Sequence, residues 1–186
     1  ATSGTHIFGN IVYNSHLGGL MIGGGQDNIA ENNIFVGGEM AQICYVKWEP
    51  SPPKKDILVQ FPMKGNRFER NILAYSGPRA SLYWFVYQYG STWAATDGIF
   101  NHNLIWPGSI DKELNIAGMQ KKGSSLWEDW LERKMDTDSI IADPLFVDPK
   151  NHDYRIKPGS PAFKLGFKPI PVDKIGLYAD KYRKLP

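Results

Sequence analysis

The stretch Gln26-Asp27-Asn28-Ile29-Ala30-Glu31-Asn32-Asn33-Ile34-Phe35-Val36-Gly37-Gly38 decides how the chain is read, because its pattern is found three more times. At the centre of each copy an Asn precedes a short apolar run: Asn10-Ile11-Val12, Asn33-Ile34-Phe35, Asn71-Ile72-Leu73 and Asn103-Leu104-Ile105. The residues before it also align: Gly4 to Gly9, Asp27 to Asn32, Gly65 to Arg70 and Asp97 to His102. Breaks follow at Asn14-Ser15, Gly37-Gly38, Ser76-Gly77 and Pro107-Gly108. Each copy is a turn, a short strand, an Asn, a second short strand and another turn.

The intervals between the four Asn residues are 23, 38 and 32. The shortest suits one bare rung of a β-solenoid, and the longer ones a rung plus an insertion; a recurrence of roughly 20–50 residues marks a solenoid or array. The apolar runs are short, β-branched and aromatic, which favours strands over helices. Asn at the end of a strand tolerates the left-handed backbone region, and amides on successive rungs can hydrogen-bond to one another.

Composition bounds the rest. At 186 residues the chain is one domain by length or a piece of something larger. Hydrophobic residues at 42% and charged residues at 22% are a globular balance. A net charge of +2 is too small to argue for nucleic acid. No phosphate-binding glycine loop, no cofactor motif and no apolar stretch long enough to cross a membrane is present. Cys44 is the single cysteine, so neither an internal disulfide nor a cysteine metal site is possible, and His6, His16 and His152 show no metal spacing. Because Ala1 stands almost inside the first unit, the expectation is a C-terminal part of a longer protein, or a second chain covering the first rung; a bare rung exposes core and strand edges.

Within a single domain over 1–186, insertions are expected at about 47–60, 78–96 and 109–137. The first holds Pro50, Pro52 and Pro53, which forbid regular structure. The second contains an aromatic strand in which Tyr83, Phe85, Tyr87 and Tyr89 alternate with Leu82, Trp84, Val86 and Gln88. The third ends in one helix, Ser125 to Met135, with Ser125 and Glu128 as a capping box and Leu126, Trp127, Trp130 and Leu131 on the face that packs on the solenoid. Tyr154-Arg155-Ile156 is expected to pair in a last rung, and the tail from Pro169 to cover the terminal edge.

One closing stretch carries a resemblance: Asp143-Pro144-Leu145-Phe146-Val147-Asp148-Pro149, then Asp153-Tyr154-Arg155-Ile156-Lys157-Pro158-Gly159-Ser160-Pro161-Ala162, followed by Gly166 to Ile170 and Ile175-Gly176-Leu177. It resembles the C-terminal segment of secreted bacterial right-handed parallel β-helix proteins, nearest to parallel-β-helix glycoside hydrolases of the fucosidase/xylanase sort. Ile22 to Asn28 with Glu31 to Phe35, and Trp127 followed by Asp138-Ser139-Ile140, look similar too. The resemblance implies an all-β right-handed parallel β-helix with one added helix and an extended tail, an extracytoplasmic location, and a polysaccharide or oligosaccharide partner.

The repeat geometry shows which residues such chemistry would use. Strands on neighbouring rungs lie about 4.8 Å apart, so residues of equal rank are neighbours. Asp27 and Asp97 share one column two rungs apart, and Glu31 and Glu69 share another on adjacent rungs. Inverting glycosidases hold their carboxyls about 6.5–9.5 Å apart and retaining ones about 5–5.5 Å, so both pairs are admissible catalytic candidates. Both pairs also have plain readings, as turn caps and as a solvated ladder. Arg70 and His102 fall in the next column. Trp48, Trp84, Trp93 and Tyr87 lie in or beside the insertions, and aromatic planes suit the apolar faces of sugars. The leading expectation is a part of a two-carboxyl glycoside hydrolase. The alternatives are a non-catalytic glycan-binding or structural β-helix segment, and a polysaccharide lyase drawing on Lys64, Arg67 or Arg70.

Overall fold

The computed structural model describes residues 2–47, 63–87, 98–119, 122–123 and 125–176. Twelve strands come in four successive triplets. They are β1 (His6–Phe8), β2 (Ile11–Tyr13) and β3 (Gly18–Gly23), then β4 (Ile29–Glu31), β5 (Ile34–Val36) and β6 (Ala41–Lys47). The third triplet is β7 (Asn66–Glu69), β8 (Ile72–Ala74) and β9 (Ser81–Tyr87), and the fourth β10 (Gly98–Asn101), β11 (Leu104–Trp106) and β12 (Ile116–Ala117). First members pair in parallel as sheet A, β1-β4-β7-β10. Second members form sheet B, β2-β5-β8-β11, to which β13 (Ile140–Ile141) adds. Third members form sheet C, β3-β6-β9-β12. Among the described residues the structure is mostly β, with three parallel sheets and one α-helix.

The register matches the sequence columns. Ile11, Ile34, Ile72, Leu104 and Ile140 stand opposite one another across sheet B, so the preceding Asn residues are stacked. Each Asn side chain donates Nδ2 to the next Oδ1, at 2.9 Å from Asn10 to Asn33, 3.0 Å from Asn33 to Asn71 and 3.2 Å from Asn71 to Asn103. The same oxygens accept the backbone N–H of the preceding Asn. This is what lets Asn33, Asn71 and Asn103 be buried without losing hydrogen bonds. The left-handed corner falls one residue earlier than the sequence reading placed it, at Gly9, Asn32, Arg70 and His102. The corner residue turns the backbone, which leaves the Asn free to aim its amide along the stack. A second, shorter stack was not anticipated: Asn28 donates to Asn66 Oδ1 at 2.9 Å, and Asn66 donates to Gly25 O and Tyr45 Oη.

The stack ends on a charge. Asn103 Nδ2 donates to Asp136 Oδ1 at 2.9 Å, and the Ser139 hydroxyl donates to the same oxygen. Asp136 Oδ2 accepts from Tyr83 Oη at 2.8 Å and Trp130 Nε1 at 2.9 Å. Asp136 is fully buried. Trp130 comes from helix α1 (Leu126–Glu132), whose Ser125 cap accepts from the N–H of Glu128 as the capping box predicts. The helix is shorter than expected and does more than lie on the outside. Trp130 is wholly buried among the rings of Tyr83, Phe85 and Phe100, at 5.3, 5.5 and 5.3 Å. Phe68 and Phe100 stack at 4.5 Å beneath it, and Phe35, Leu73 and Ile105 from sheet B complete this core.

The closing segment departs from expectation. Tyr154-Arg155-Ile156 does not join a parallel sheet; β14 (Phe146–Asp148) and β15 (Asp153–Ile156) form an antiparallel hairpin, followed by 3-10 turns at Pro161–Leu165 and Val172–Lys174. Phe146, Tyr154, Ala162, Phe167 and Ile170 bury against Ile34, Ile72, Ala74 and Leu104. As far as Val172 this segment covers the outer face of sheet B, and the part of the tail beyond Gly176 lies outside the described residues. Consecutive apolar residues in β5, β8 and β11 make that sheet apolar on both faces, so both need cover. At the other end, Ile7, Val12 and Leu20 of the first triplet are only partly buried. Among the described residues β1, β2 and β3 are each the last strand of their sheet, and no helix is long and apolar enough to cross a membrane.

Candidate functional site

Alternation along sheet A sends Ala30, Phe68 and Phe100 into the core and turns the next position outward. There Phe8, Glu31 and Glu69 stand in one register column, with Asn101 after them. The structure thus brings Glu31 and Glu69 together on adjacent strands. Arg70, at the left-handed corner just after Glu69, donates to Glu31 Oε2 and lies 3.8 Å from Glu69 Oε2. Arg67 donates to Glu69 Oε2 at 2.6 Å, and His6 Nε2 meets Glu31 Oε1 at 2.8 Å. Glu69 is buried and Glu31 half-buried.

Two carboxylates on neighbouring strands would push one proton uptake upward if left alone. Here two guanidiniums are interleaved with them. The hydrogen bond from Arg70 holds the Glu31 carboxyl below its ordinary range, against the opposing effect of burial and with help from His6. A bound guanidinium favours the ionised form of a carboxylate. The arrangement supplies two oriented carboxyl acceptors, with Arg67 and Arg70 both engaged by them.

The other sequence candidates separate. Asp27 is exposed at a left-handed turn, its Oδ1 lying against the place where a Cβ on Gly65 would stand, and Gly65 is a glycine at positive φ. Asp97, Trp48 and Trp93 lie outside the described residues. His102 occupies the corner column of Arg70, half-buried, with its Nδ1 buried and lacking a hydrogen-bond partner. Tyr87 closes β9 opposite Lys47 of β6. Burial pushes the Cys44 thiol up to about 11, which removes it as a nucleophile. Lys64 is exposed.

Trp84 lies on a different face. It is paired across sheet C with Cys44 and Ala117, and packs against Ala41, Cys44 and Val46. It also lines an open cleft of about 330 Å³ with His16, Glu39, Arg79, Ser81 and Asn115. His16 Nδ1 meets Glu39 Oε2 at 2.7 Å, and Asn115 Nδ2 donates to Ser81 Oγ at 2.9 Å. An indole ringed by amide, hydroxyl and charges of both signs can stack on an apolar ring face while hydrogen-bonding its edge. Sequence reasoning nominated Trp84 but missed its companions. One signal was available: His16 and Glu39 each stand six residues after their stacked Asn, so the column rule pairs them. Arg79 was less accessible. It enters because nine positions separate Ile72 from Ser81, where seven separate Ile34 from Ala41, and sheet C still holds its register.

No family model matches the chain, and no solved structure does. The uncharacterized protein YwoF of Bacillus subtilis (strain 168) is similar, 27% identical over 155 residues. That match covers 82% of this chain and 31% of YwoF, so the chain spans about a third of the length of this relative.

Proposed function

We propose that the chain is the glycan-binding part of a carbohydrate-active right-handed parallel β-helix protein, with glycoside hydrolysis as the reaction of the whole. The winding is supported by strand order, since each triplet visits sheets A, B and C in turn, and by the near-universal right-handedness of connections between parallel strands of one sheet. The cleft around Trp84 carries the functional reading, because it joins an aromatic platform to the hydrogen-bonding rim a sugar needs. The sequence resemblance supplies the reaction class and the extracytoplasmic setting.

A two-carboxyl reaction within this chain falls to Glu31 and Glu69, whose strand separation suits the retaining range of about 5–5.5 Å. Glu31, held ionised, fits the nucleophile. Glu69 as acid requires Arg67 to leave it first. The ion pairs on both carboxylates favour binding over acid–base work here, so the non-catalytic reading leads for this segment.

One experiment separates the two. The protein, with W84A, E31Q and E69Q, is tested for binding and reducing-sugar release on xylan, mannan and fucosylated oligosaccharides. Binding that falls at least tenfold in W84A, without hydrolysis, supports the binding reading. Hydrolysis abolished by E31Q and E69Q transfers the proposal to catalysis. No binding and no release on any substrate overturns it.

A further inference from the structure

A second, larger cleft of about 620 Å³ opens between the outer face of sheet B and the hairpin β14–β15. Its apolar walls include the half-buried Trp106 of β11 and the buried Tyr154 of β15. Its rim carries charges of both signs, Asp143 and Asp148 against Lys150 and Lys157. Asp143 Oδ1 accepts from the N–H of Leu145 at 2.8 Å, and Asp148 Oδ2 from Asn151 Nδ2 at 2.6 Å, so each carboxylate is fixed in position while keeping acceptor capacity. Lys150 and Lys157 are exposed.

We infer that this cleft is a second binding site for an uncharged oligosaccharide, separate from the Trp84 cleft. The volume lies in the range of small-ligand sites. Two acids and two ammoniums in one rim leave no net charge to select an ion, yet offer acceptors and donors to a ligand dense in hydroxyls. An indole and a phenol in the walls suit a ligand that also has apolar faces. Only a molecule with both characters uses the whole site. The chain would hold it with a face that exists because the tail folds back over sheet B, so the site is absent from the triplet repeat itself.

The inference rests on the glycan-binding reading, and the test distinguishes their failures. Xylohexaose, mannohexaose and cellohexaose are titrated by calorimetry into the wild-type chain, W84A, W106A and the double substitution K150A/K157A, each checked for an unchanged circular dichroism spectrum. The expected result is two sites in the wild type for at least one sugar. One site then remains in W84A and one in W106A, with affinity at the second site at least fivefold weaker in K150A/K157A. The double lysine substitution keeps the test open if W106A misfolds, because both lysines are exposed. A single wild-type site that vanishes in W84A and ignores the lysine changes overturns this inference and leaves the first reading standing. No binding by any of the three sugars overturns both.

Discussion

Replacing Asp136 by Asn is the sharpest test of how the stacked amides are terminated. The wild-type carboxylate accepts four hydrogen bonds, two on each oxygen, and donates none. An amide places an NH2 where one oxygen was. If the NH2 takes the Oδ2 position, the Tyr83 hydroxyl can turn round and accept, but Trp130 Nε1 cannot. If it takes the Oδ1 position, Ser139 can turn but Asn103 Nδ2 cannot. Either way one obligate donor faces another in a fully buried site. Losing a hydrogen bond to a charged group costs about 1.5–3 kcal/mol, and the donor left unsatisfied about 1–3 more. The expected destabilisation is about 3–5 kcal/mol by that reckoning. For a chain of this length the corresponding fall in Tm is about 6–20 °C. Urea unfolding followed by circular dichroism measures it. The double substitution D136N/W130F removes the offending donor, so the two changes should cost less together than their sum, by about 1 kcal/mol or more. A loss below about 1 kcal/mol in D136N with no coupling to W130F would refute the reasoning.

Two further outcomes follow from the same structure. N71A removes an interior member that accepts from Asn33 and donates to Ala30 O and Asn103, whereas Asn10 is exposed and terminal; N71A should therefore cost about 3 kcal/mol or more and N10A about 1, and equal losses in a denaturant series would contradict a load shared along the stack. The Glu31 carboxyl, depressed by Arg70, contributes stability that is present above its unfolded pKa of about 4.3 and lost as pH falls through the lower folded value; in R70M its titration, followed by carboxyl-carbon NMR, should move up toward the ordinary value, and an unmoved midpoint would remove Arg70 as the cause.

The candidate sites differ in how far the sequence could reach them. Glu31 and Glu69 were legible as neighbours because equal rank in the repeat becomes register in a parallel sheet. The depressed titration of Glu31 and the pairing of Glu69 with Arg67 were not legible, because the first depends on the corner residue Arg70 reaching back one strand and the second on Arg67 folding onto its own strand. The cleft behind Trp106 was invisible, since its walls lie on β11 and β15, brought together by a tail whose path no repeat dictates.

The sequence by itself determined the two strands around each Asn, their register and the stacked Asn column, because each follows from local turn chemistry and from a period that survives insertions; the third strand of the last triplet, β12, falls where an insertion was expected. It also determined the cap of α1, where Ser125 and Glu128 are three residues apart. Tertiary structure alone decided that Trp130 enters the core, that Asp136 closes the amide stack, and that Phe146, Tyr154, Ala162, Phe167 and Ile170 cover sheet B. Those outcomes join parts of the chain with no shared period, and they are fixed by which apolar faces and buried donors still lack partners once the repeat has formed.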